Sequence, residues 1–146
     1  MDKRGIITVD LIFATLVILL VSGGLLTVVS ERMDGVSNTE KLGNARMTAE
    51  SVAESINKVY SGGNGHQITL NLPDKISNST YEIKVNSSGV FVLIDGMIGK
   101  SYINPKKITS DYRLDEQNVL MYGNRNYVIK NVQDIDGNNW IVIKEL

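Results

Sequence analysis

The chain has 146 residues, a formal net charge of -1 and no cysteine. One small domain beyond a terminal helix is all that this length supports, and the absent thiols exclude a disulfide framework and any thiolate metal site. Without a basic excess, and with Lys and Arg scattered rather than set in a stripe with aromatics, nucleic acid is not an expected partner. The mean hydropathy of -0.04 hides a strong segregation: the apolar residues are concentrated near the amino terminus.

Leu11 to Val29, LIFATLVILLVSGGLLTVV, carries no charge and is long enough for a helix to cross the hydrocarbon core of a bilayer. Met1-Asp2-Lys3-Arg4-Gly5 precedes it, and Lys3 and Arg4 would hold that end on the cytoplasmic side, with everything after Val29 outside the cell. The run exceeds the 7 to 15 apolar residues of an ordinary secretory signal, and helical-looking sequence follows it directly.

The junction reads basic-basic-glycine (Lys3-Arg4-Gly5), then Ile6-Ile7-Thr8-Val9, then the acid Asp10, then the apolar run. That order resembles the class III signal peptide of type IV pilins, pseudopilins and archaeal pilin-like proteins. The resemblance implies that a prepilin peptidase cuts between Gly5 and Ile6 and leaves the helix on the mature chain. It also implies that Asp10, at the family's signature acidic position, sets the register between subunits during assembly. The family usually has Phe, Met or, in one archaeal group, Gln at the first mature position and Glu at the acid, where this chain has Ile6 and Asp10. Residues 1–5 are then a cleaved leader, 6–32 a transmembrane and filament-core helix, and 33–146 an extracellular pilin-like domain.

From Val36 the period turns amphipathic. Val36, Leu42, Ala45, Ala49, Val52, Ala53, Ile56, Val59 and Tyr60 recur at three and four residues, opposite Glu40, Arg46, Glu50, Glu54 and Lys58. This predicts a helix over 36–60, continuous with the apolar run unless Met33-Asp34-Gly35 breaks it. Glycine costs roughly 1 kcal/mol against alanine in a helix interior, so Gly23, Gly24, Gly35 and Gly43 are weak points or places of close helix packing. Glu54 and Lys58 stand in the favourable order for a surface pair. Ser61-Gly62-Gly63-Asn64-Gly65 stops the helix.

Beyond it, in 66–146, the period becomes two. Ile68 to Leu72, Tyr81 to Val85 and Val90 to Ile94 are expected as a three-stranded antiparallel meander, with an edge strand over Ile98 to Ile103. Lys106 to Gln117 shows no period. Tyr127 to Gln133 and Asn139 to Lys144 frame Asp136-Gly137-Asn138 as a hairpin. A sheet with one apolar face must bury it, and only the helix from Leu42 to Tyr60 offers a matching stripe. The expected fold is α+β, a long helix laid on a small antiparallel sheet in the manner of type IV pilins, with Glu82, Lys84, Lys130 and Lys144 on a wet outer face.

Site chemistry is sparse. His66 has no partner histidine and reads as the start of a strand. Asp134 to Asn139 has the oxygen-rich look of a calcium loop but lacks the distal Glu, and a hairpin turn explains it better. No nucleophile, catalytic base, metal site or cofactor is expected. Asn78-Ser79-Thr80 and Asn86-Ser87-Ser88 satisfy the N-glycosylation pattern and fall in expected turns, so Asn78 and Asn86 are candidate acceptors. The Lys-Arg-Gly junction and the lack of cysteine suggest an archaeal host, where glycans at these sequons would make the chain a glycoprotein and coat its outer surface.

The expected function is that of a major or minor pilin, stored in the membrane and polymerised through its helix for adhesion or surface attachment. Its partners would be other copies or other pilins, the prepilin peptidase, the pilus assembly machinery and the membrane. Two alternatives remain open: a single-pass anchored extracellular binding domain that never polymerises, and a secretion-system pseudopilin.

Overall fold

The computed structural model describes residues 3–111, 114 and 118–146, the side chains of residues 3–8 excepted. One helix, α1, runs Lys3–Ser61 without interruption. Gly35 does not break it, one glycine costing only about 1 kcal/mol in a helix interior. Eight strands follow: β1 Gln67–Asn71, β2 Tyr81–Asn86, β3 Gly89–Ile94, β4 Met97–Ser101, β5 Ile108–Thr109, β6 Val119–Tyr122, β7 Asn126–Gln133 and β8 Asn139–Glu145. The fold is α+β, one long helix with small, mostly antiparallel sheets. The chain forms two compact units, 1–39 and 40–146.

Within the second unit, the expected single meander is instead two four-stranded sheets, ordered β1-β7-β8-β5 and β4-β3-β2-β6. β2, β3 and β4 do form successive hairpins, with Ile83 opposite Val92 and Val92 opposite Gly99. β1, however, pairs with β7, Thr69 facing Val128. The segment from Leu72 to Thr80, between β1 and β2, is not a tight turn. It holds its own reversal, closed by the Ile76–Ser79 bridge, and this frees β1 from β2. Part of the segment that shows no period is β5, parallel to β8 with Ile108 opposite Ile141; Tyr112, Arg113 and Asp115 to Gln117 of that segment lie outside the described residues.

The two sheets and the helix share one apolar core. Ala45, Ala49, Val52, Ala53, Ile56 and Val59 of α1 are buried with Ile83, Val85, Val90, Val92, Ile94 and Met121 from one sheet and Ile129, Ile141 and Ile143 from the other. These helix residues follow the i, i+3, i+4 spacing that lines one face. Val36 departs from the expected stripe: it is 69% exposed, because it precedes the unit to which the sheets belong. The helix meets β4 closely enough that a Cβ added at Gly99 would come 2.5 Å from the backbone carbon of Ala45, so only glycine fits there.

At its end, α1 is tied to the sheet. Gly62 N–H donates to the Lys58 carbonyl at 2.9 Å, and Gly63 and Gly65 take positive φ of 78° and 85°, conformations open to glycine. The wholly buried Asn131 of β7 donates from Nδ2 to the carbonyls of Tyr60 at 3.1 Å and Val59 at 3.4 Å. Both are carbonyls of the last turn, where intrahelical donors run out; the Tyr60 carbonyl also accepts the Gly63 N–H at 3.3 Å, and the strand side chain completes the cap.

Candidate functional site

The stretch of α1 from Val9 to Val29 has no core of its own. Each large apolar side chain in it is between 44% and 73% exposed, and the helix contains an 18-residue stretch of mean hydropathy 2.6 with none of its residues buried. It is the one helix among the described residues long and apolar enough to cross a membrane. Thr15 Oγ1 donates to the Ile12 carbonyl at 2.8 Å and Thr27 Oγ1 to the Gly23 carbonyl at 3.2 Å, so both threonine hydroxyls are satisfied inside the helix, as an apolar surrounding favours. A Cβ added at Gly23 or Gly24 would meet no atom within 4 Å, so within one chain these glycines accommodate no neighbour.

Gly5 and Ile6, the expected cleavage pair, lie in the first turns of the helix; the Ile6 side chain, like Met1 and Asp2 of the leader, lies outside the described residues. Asp10 follows on the same helix, exposed, ahead of the uncharged run.

The other residues singled out from the sequence lie in the second unit and do not converge. His66 is exposed just before β1, its N–H donating to the Gly63 carbonyl at 3.2 Å and its carbonyl accepting from Asn131. The Asp134 carboxylate is occupied within its own turn. Oδ1 accepts the N–H groups of Asp136 and Asn138 at 3.0 and 2.7 Å, and Oδ2 accepts Trp140 Nε1 and Asn138 Nδ2, both at 3.0 Å. The Trp140 bond first, with the Asn138 and Asp136 bonds, holds the carboxyl down to about 2. What looked like ligand spacing is the side-chain network of a hairpin. Among the described residues no three or more His, Asp or Glu cluster to hold a metal ion.

Asn78 and Asn86 occupy different settings. Asn78 is exposed at the apex of the Ile76–Ser79 reversal. Asn86 ends β2, half-buried, with its Nδ2 donated to Asn118 Oδ1 at 3.2 Å.

One surface was missed. On the outer face of the β4-β3-β2-β6 sheet, Leu93, Ile98, Leu120 and Tyr122 are exposed, so that face is not uniformly polar. Lys100 lies over the rings of Phe91 at 5.1 Å and Tyr102 at 4.6 Å. The signal was in the uninterrupted apolar run Val90 to Ile94: strand side chains alternate faces, so Phe91 and Leu93 had to point away from the core. Beside it, an open groove of about 470 Å³ is lined by Glu50, Glu54, Asn57, Lys58 and Tyr102.

Comparison with models of known protein families, with curated proteins and with solved structures finds no match.

Proposed function

We propose that the chain is a subunit of a type IV pilus-like surface filament, held in the membrane by α1 and polymerised through it, with residues 40–146 displayed outside the cell. The observation that carries the reading is the change along one unbroken helix from Lys3 to Ser61. From Leu11 to Val29 it is apolar on every side and unburied, whereas from Ala45 to Val59 it is apolar on one stripe and forms a domain core. A membrane helix stored in lipid and later bundled with its copies needs the first property; a displayed domain needs the second. The lysine-arginine-glycine junction and Asp10 stand where the pilin resemblance puts the leader and the register-setting acid.

In this reading a prepilin peptidase cuts after Gly5 and creates a cationic amine on Ile6. Asp10 of one copy pairs with the Ile6 amine of the next, and any other axial offset would leave two charges unpaired in an apolar bundle. The role is structural and non-catalytic.

The test is the amino-terminal mass of protein extracted from its own cell surface, together with its sedimentation. A chain beginning at Ile6 and pelleting as filaments is expected. Asp10→Asn should be cleaved and inserted but give few filaments, while Asp10→Glu should assemble. An intact leader on non-sedimenting surface protein would favour the single-pass anchored domain. Cleaved protein that stays in the membrane and never appears in surface filaments would point to a secretion pseudopilin.

A further inference from the structure

We propose that Asn78 is the N-glycan acceptor of the folded domain and that Asn86, which has the same sequence pattern, is not. The two triplets cannot be told apart by pattern, but the fold separates them.

Asn78 sits in a reversal that is fixed on both sides. Ile76 N–H donates to the Ser79 carbonyl at 3.0 Å and Ser79 N–H to the Ile76 carbonyl at 2.9 Å. Ser77 Oγ accepts from Asn44 Nδ2 at 2.8 Å, and Ser79 Oγ donates to Asp95 Oδ2 at 2.6 Å, an oxygen that also takes Lys41 Nζ at 2.7 Å. Helix and β3–β4 turn therefore clamp the flanking serines and leave Asn78 at the tip. Asn78 and the hydroxyl-bearing Thr80 two residues on are both exposed. The transferase must reach both of these groups.

Asn86 is engaged at both ends of its amide. Nδ2 donates to Asn118 Oδ1, and Oδ1 accepts the Ser88 N–H at 2.9 Å. Its backbone pairs with Gly89 in the β2–β3 hairpin. A transferase would have to break both bonds and lift the residue out of the strand pair.

A plainer explanation for an asparagine at 78 is its backbone. Ser77 and Asn78 have φ of 46° and 62°, and Asn tolerates this left-handed region better than most residues. That explanation accounts for Asn78 alone. It asks nothing of Thr80.

In the transfer, Asn78 Nδ2 attacks the anomeric carbon of a sugar carried on a lipid phosphate. The nitrogen–carbon bond forms as the carbon–oxygen bond to phosphate breaks, the lipid phosphate leaves with the electron pair, and the transferase takes the amide proton. The proposal rests on the domain lying outside the cell, as proposed above.

Trypsin places the two sites in separate peptides, Ile76 to Lys84 and Val85 to Lys100. In full-length protein from intact cells of its own host, the first peptide should carry an added glycan mass and the second should not. Thr80→Ala and Asn78→Gly should both return the first peptide to its bare mass; glycine keeps the reversal, so loss there is not a folding failure. Shaving intact cells with a protease that cannot cross the membrane separates the two readings. A domain that is accessible but bare at Asn78, or modified equally at Asn86, would overturn this proposal alone. A domain shielded from the protease would overturn the export and this proposal with it.

Discussion

The stretches of α1 from Leu11 to Val29 and from Ala45 to Val59 use the same backbone for opposite purposes. Leu19 and Leu20 are neighbours and are 73% and 69% exposed, whereas Val52 and Ala53, also neighbours, are 1% and 2% exposed. A helix turns about 100° per residue, so two neighbours are buried together only at the two edges of a stripe about that wide. In the first stretch apolar side chains point every way; in the second, the buried positions stay within one stripe and Glu50, Glu54 and Lys58 take the rest. The first stretch is suited to an apolar surrounding on all sides, the second to water on one side and a sheet on the other. Hydrophobic content alone does not make a core. What decides is whether the pattern leaves a polar face.

If the second stretch is a true core, removing atoms there should cost most. Ile56 is wholly buried, and Ile56→Ala should destabilise residues 33–146 by about 2–5 kcal/mol in a denaturant titration. A loss close to zero would mean that the helix does not pack on the sheets. Gly99→Ala comes next. The added methyl would overlap the backbone of Ala45, and separating helix and β4 should cost about 1–3 kcal/mol. Unchanged stability would show that the two do not approach so closely.

A smaller effect should follow from pH at the far hairpin. The Asp134 carboxyl is lowered from 3.8 to about 2 by its bonds to Trp140 and Asn138. As pH falls, the unfolded chain takes up the proton first. This contribution is therefore complete above about pH 4 and lost as pH falls through about 2. Asp134→Asn should flatten the change in unfolding midpoint across that window; a parallel profile would place the acid sensitivity elsewhere. Least of all should follow from Val36→Ser, within about 0.5 kcal/mol in the same fragment, since Val36 is 69% exposed.

Local patterns were readable from the sequence and distant partners were not. The helix stop at Ser61, the buried spacing from Ala45 to Val59, the β2–β3 hairpin and the turn between β7 and β8 each follow from residues within one turn of each other. The pairing of β1 with β7 joins Ile68 to Ile129, and nothing near Ile68 distinguishes that partner from Ile83. β5 is two residues long, too short to show a period. As for the candidate site, the apolar run was legible from composition, and Asp10 was singled out only by the pilin resemblance. The difference between Asn78 and Asn86 was not, because it depends on Asn44, Asp95 and Asn118, all distant in sequence.

The division of the helix is tested most directly by two fragments and the full chain in water without detergent. A fragment beginning at Met33 should run as a monomer in sedimentation and unfold cooperatively. Full-length protein should need lipid or detergent to stay dispersed, and a fragment beginning at Gly62, deprived of its helix, should aggregate through the exposed faces of its sheets. Aggregation of the Met33 fragment, or a full-length chain that stays monomeric in plain buffer, would contradict the account.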